Sequence, residues 1–112
     1  DIVTVGADDA DMALAVNRIR SLQGGIVVCH AGEVAAELPL PVFGLMSQEP
    51  MEILIQKMDT IRSTVAGLGV PFPDPLLSVI TLTGAAIPFL RICEEGLVDL
   101  KNGQNVGLFI ES

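Results

Sequence analysis

Tryptophan and tyrosine are absent, and four phenylalanines make up the whole aromatic content of this 112-residue chain. That removes the aromatic platform on which single-stranded nucleic acid stacks. Basic residues are scarce too: six Lys and Arg stand against fourteen Asp and Glu, for a net charge of −8. Such a surface repels phosphate backbones and anionic lipid, so no nucleic acid and no membrane is expected as a partner. Cys29 and Cys93 are the only cysteines and each lies in an apolar run. They are too few for a disulfide framework, and reduced, buried thiols in a cytoplasmic protein are the expectation. His30 is the only histidine, which excludes a His-rich metal site within this chain. Long apolar runs are missing as well. The longest uncharged stretch, residues 75–90, is broken by Gly84 and Pro88 and falls short of the ~18–20 residues of a membrane span. No basic segment precedes an apolar stretch at the start, so no signal peptide is read there. A chain that opens at Asp1 directly on a strand-like run predicts a processed or truncated polypeptide.

What is present describes a folded protein. Half the residues are apolar and 18% are charged, the opposite of a disordered composition. The length suits a single domain over residues 1–112. Residues 2–7 (IVTVGA) read as a strand. Asp8 then makes a good N-cap, with Asp9 and Asp11 where the helix dipole favours negative charge. Met12, Ala15, Val16, Ile19 and Leu22 follow at helical spacing, and Gly24-Gly25 stops the helix. Residues 26–29 (IVVC) and 33–38 (EVAAEL) flank the tight turn Ala31-Gly32 and predict a hairpin. A second helix begins near residues 47–50, with Ser47 or Glu49 as cap and Pro50 in its first turn. Its stripe is Met51, Leu54, Ile55, Met58, Ile61, Val65 and Leu68, and Gly67 and Gly69 end it. Asp74-Pro75 starts a shorter, almost wholly apolar helix to about Thr83. Residues 87–93 and 96–100 read as extended, and Asn102-Gly103 turns the chain into a last strand at 106–110. The order β-α-β-β-α-α-β-β predicts an α/β (α+β) fold with a mixed or antiparallel sheet and helices packed on its faces.

The chemical candidates fail one by one. GADDAD lacks the glycines of a dinucleotide loop and the Lys of a P-loop, and its aspartates would repel a phosphate. Their spacing is not that of a calcium loop either. Cys29, His30 and Cys93 match no zinc module, and neighbours on a strand point to opposite faces. The same geometry argues against a Cys/His nucleophilic pair. Glu33/Glu37 and Glu94-Glu95 read as solvated charges. What remains is an excess of apolar irregular chain at residues 39–46 and 75–90, more than 112 residues readily hide, which points to an interface with another domain or subunit, with burial in the chain's own core as the alternative.

Those stretches resemble the C-terminal domain of adenine deaminase, in the metal-dependent amidohydrolase superfamily. The likeness runs through IVTVGADDADMALAVNRI at 2–19, LQGGIVV at 22–28 and GEVAAELPLPVFGLMS at 32–47. It continues with DPLLSVITL at 74–82, Ile87-Pro88 and GLVDL at 96–100. LPLP followed by GLMS is its most specific element. The resemblance implies a hydrolase that acts on a cyclic amidine C–N bond, turning adenine and water into hypoxanthine and ammonia in purine salvage. It implies a divalent metal, manganese or iron, held by a (β/α)8 barrel upstream in the same chain. This part would then carry no catalytic residue, metal or cofactor and would be inactive alone. Its partners would be that barrel and further copies in a homo-oligomer. Gly44, Leu45, Met46 and Ser47 would close over the active site. Leu45 and Met46 would shield the ring plane, and Ser47 would either bond the substrate or cap the next helix. The competing readings are a stand-alone small-molecule-binding module and an oligomerisation module, both without catalysis.

Overall fold

The computed structural model describes residues 1–84 and 89–109. The chain divides into two compact units: Thr4–Pro75, and Leu76–Ser112 together with Asp1–Val3.

The first unit is a β-hairpin dressed by two helices. Helix α1 (Asp9–Leu22) starts as its sequence dictates: the Asp8 carboxylate accepts the Asp11 amide at 2.9 Å. It ends in a left-handed residue, Gln23 at φ 58°, one position before the glycines expected to stop it. Strands β1 (Gly25–His30) and β2 (Glu33–Pro39) pair antiparallel, with His30 opposite Glu33 and Gly25 opposite Pro39. The register slips between Val28 and Cys29, so that β2 carries one extra residue at a bulge. Helix α2 (Met51–Gly67) packs along β2, and α1 packs mainly along β1. The core is thin. Ala36, Leu38 and Leu40 alternate onto one face and are buried, and Ile61 of α2 is fully buried. The apolar stripe of α1 is only half covered, and Met51 and Ile55 of the α2 stripe are exposed.

The second unit contains most of α3 (Pro75–Thr83) and a three-stranded antiparallel sheet in the order β3 (Leu90–Cys93), β4 (Gly96–Asp99), β5 (Gln104–Asn105). Arg91 is its organising residue. It is buried on β3 and donates to the carbonyls of Leu82 (2.6 Å) and Gly84 at the end of α3, and to Asp1 Oδ2 (3.2 Å). A cation at a helix C-terminus meets carbonyls that have no partner inside the helix. Asp99 builds the following turn: its carboxylate accepts from Lys101 N and Asn102 Nδ2 at 2.9 and 2.6 Å.

The α+β class with antiparallel pairing holds, as does the succession of hairpin, two helices and further strands. Four details differ. Residues 2–7 pair with no strand among the described residues, and Val5 is 74% exposed. β-propensity describes a side chain's fit to a sheet; it supplies no partner for the backbone. The strands form two small sheets. Pro50 stands at the N-cap of α2, still extended at ψ 149° and without a side-chain cap. Strand β5 lies at 104–105, ahead of the expected 106–110, because it pairs with Val98 and Asp99 immediately after the turn. Ile87, Pro88 and Ile110 lie outside the described residues.

Candidate functional site: an uncharged turn on the hairpin unit

Three charged side chains of this unit, Arg18, Glu37 and Asp11, are committed to the fold. Arg18 of α1 grips both carboxylate oxygens of Glu37, at 2.7 and 2.8 Å. The hydrogen bond from Arg18 holds the Glu37 carboxyl below its ordinary range, and Glu37 raises the guanidinium in return. The shallow groove beside this pair is lined by Val34, Ala35 and Ala36. Asp11 reaches from the first turn of α1 to the hairpin tip, where it accepts the amides of Ala31 (3.0 Å) and Gly32 (2.7 Å). Both turn residues have positive φ, 51° and 79°. This is the backbone of a type I′ hairpin, normally filled by Asn and Gly. Asp11 thus holds an Ala where the left-handed region costs a non-glycine residue about 1–2 kcal/mol.

Metal chemistry does not fit these residues. Cys29 is half-buried while its neighbour His30 is exposed, as strand alternation predicts. Burial pushes the Cys29 thiol up, with Asp11 and Glu37 adding to the rise, so the thiolate a metal needs is disfavoured. Cys93 belongs to the other unit. Asp11 and Glu37 are engaged as described, and Glu94-Glu95 form the tip between β3 and β4. Among the described residues no group of three His, Cys, Asp or Glu side chains is placed to share an ion.

The remaining candidate is the turn after β2. Leu40 N donates to Gly24 O at 3.1 Å, which brings the chain back over the end of α1. Val42 and Met46 then form a bridge, and Leu45 N and Met46 N both donate to Val42 O, at 3.0 and 3.2 Å. The two residues at the tip, Phe43 and Gly44, both have positive φ, 56° and 71°. The backbone of Gly44 lies against Gly24, where an added Cβ would sit 2.7 Å from Gly44 Cα. Only glycine at position 24 permits that approach.

Of the residues expected to face a site, Gly44, Leu45 and Met46 lie in this turn, with Leu45 and Met46 exposed. Ser47 is half-buried, and its hydroxyl accepts the Glu49 amide at 3.0 Å. It therefore shapes the approach to α2 from outside the cap position. Sequence reasoning placed Phe43 in the apolar stretch 39–46 and did not single it out, yet it is the most exposed large apolar residue of the chain's described part at 89%. The signal was the dipeptide Phe-Gly in an uncharged segment, which gives a hairpin-like turn once its flanks are bridged.

The family model described as the adenine deaminase C-terminal domain matches residues 1–104. The chain is 49% identical over 100 residues to a protein named adenine deaminase from Methylobacterium sp. (strain 4-46), covering 89% of this chain and 18% of that protein. The adenine deaminase of Methylobacterium nodulans is 45% identical over 107 residues, with 96% of this chain and 19% of that protein covered. That of Kosmotoga olearia is 39% identical over 106 residues, covering 95% and 18%. The chain thus spans less than a fifth of the length of these relatives. The match takes in α1, the hairpin, the uncharged turn, both later helices and all of β3 and β4, and the chain belongs to the adenine deaminase C-terminal domain family.

Proposed function

We propose that residues 1–112 act as the C-terminal domain of an adenine deaminase, a hydrolase that converts adenine and water to hypoxanthine and ammonia in cytoplasmic purine salvage. The observation that carries this reading is the match over residues 1–104 together with the share of each relative that the chain spans. The relatives are named for the activity, and more than four-fifths of their length lies outside the matched part. Among the described residues no three His, Cys, Asp or Glu side chains are placed to share an ion, so the manganese or iron of the enzyme would be held by the rest of the polypeptide, in its barrel. The domain's own contribution is to pack on that barrel and, in a homo-oligomer, against other copies. Leu45 and Met46 at the uncharged turn would cover the substrate's apolar ring plane. Ser47 is already bonded to Glu49 and serves the turn's shape.

The test compares the longer enzyme with the 112-residue chain alone. The longer enzyme is expected to release hypoxanthine from adenine and to contain manganese or iron, and the chain alone to do neither. Deamination by the 112-residue chain would overturn the assignment. For the turn, Met46→Ala in the longer enzyme is expected to raise KM for adenine about tenfold, the scale of one lost apolar side chain. Unchanged kinetics would remove the turn from the active site.

A further inference from the structure

We infer that Phe43 is the anchor by which this domain seats on the preceding part of the longer polypeptide: an aromatic ring carried on a held backbone turn, which fills an apolar cleft there. The inference rests on the reading above and names the contact residue. Two features of Phe43 oppose folding. Its backbone is left-handed at φ 56°, and its side chain is 89% exposed. Neither is offset by a contact within its own unit that would favour a bulky aromatic at this position. The turn is nevertheless held firmly. Val42 accepts from both Leu45 and Met46, and Gly44 rests on Gly24, where a Cβ would meet Gly44 Cα at 2.7 Å. A backbone fixed in this way leaves only the two side-chain torsions of the ring to be ordered on docking, a small cost for an interface anchor.

The surroundings define the occupant. Residues 38–48 carry no charge in a chain of net charge −8, so the facing surface is apolar and attracts neither cations nor anions. Leu45 and Met46 flank the ring and are exposed with it. A second copy is the competing occupant, and dilution to the monomer distinguishes it from the remainder of the polypeptide. The covering surface is the remainder of the polypeptide, which in the relatives is the larger part by far.

Hydroxyl-radical footprinting of the longer enzyme tests this, with the urea-unfolded enzyme as reference. Phe43 is expected to be labelled about tenfold more slowly in the native enzyme, as for a ring sealed from water. Labelling at the unfolded rate would overturn the inference, and so would protection that vanishes on dilution to the monomer. Phe43→Gly keeps the positive φ and removes only the ring. It is expected to raise labelling at Leu45 and Met46, and unchanged labelling there would also overturn the anchor. Adenine turnover is measured on the same preparation. Turnover with Phe43 unprotected sinks this inference alone, whereas protection without turnover sinks the enzymatic reading alone.

Discussion

In the first turn of α1, Asp11 donates its amide to Asp8 and accepts the amides of Ala31 and Gly32 with its carboxylate. Helix capping accounts for the first bond. The second and third join residues twenty and twenty-one positions apart and make this aspartate a clamp. Asp11→Ala is expected to lower unfolding free energy by about 1–2 kcal/mol, read from urea midpoints. Ala31→Gly, which relieves the positive φ, is expected to raise it by about 0.5–1 kcal/mol. The Arg18–Glu37 pair gives a pH signature. The folded Glu37 carboxyl is held below its ordinary value by the Arg18 hydrogen bond. Its contribution is therefore present above the unfolded pKa of about 4.3 and is lost as pH falls through the lower folded value. Glu37→Gln is expected to lower the urea midpoint at neutral pH, and that effect is expected to shrink as pH falls through the lowered folded value. A pH-independent effect would mean that Glu37 acts by packing.

At the scale of elements, the join between α1 and β1 governs the site. Gln23 takes the left-handed cap, and Gly24 follows at φ 124° with its Cα against Gly44. Gly24 thus ends a helix, opens a strand and seats a turn twenty residues on. A Cβ there would press on Gly44 Cα and on Leu40 O, at 2.7 and 2.9 Å. Gly24→Ala is expected to cost on the order of 2–4 kcal/mol and to expose the amides of Leu40 and Leu45 to hydrogen exchange. If exchange at those amides stays at the native rate, the turn does not depend on the approach. The β3–β4–β5 sheet of the other unit shows a comparable economy: Arg91 ends α3 from within β3, and Asp99 builds the next turn.

At the scale of the whole molecule, the described residues expose many large apolar side chains and bury few, and none of the described helices is long and apolar enough to cross a membrane. Such a surface is expected to be covered in the longer enzyme. The 112-residue chain alone is expected to show no change in Tm with millimolar adenine, because the two charged groups lining its shallow groove, Arg18 and Glu37, are bonded to each other. An upward shift would identify a stand-alone binding module. Much of this was legible in the residues themselves. Local signals are short-range, so Asp8 as cap, the Ala31-Gly32 turn, the hairpin strands, both later helices and the specific LPLP…GLMS segment could be read without coordinates. The sequence also determined that no His-rich site exists here and that charge disfavours a polyanionic partner. Tertiary structure alone decided the rest, since each remaining feature depends on groups distant along the chain. Residues 2–7 have strand propensity but no paired strand among the described residues, and Asp11 reaches the far hairpin tip. Arg91 finds the end of α3, and Phe43 is turned outward because Gly44 is pressed onto Gly24. Propensity is a property of a residue and its immediate neighbours, whereas a backbone hydrogen bond or a glycine contact exists only once a distant segment has been brought to meet it.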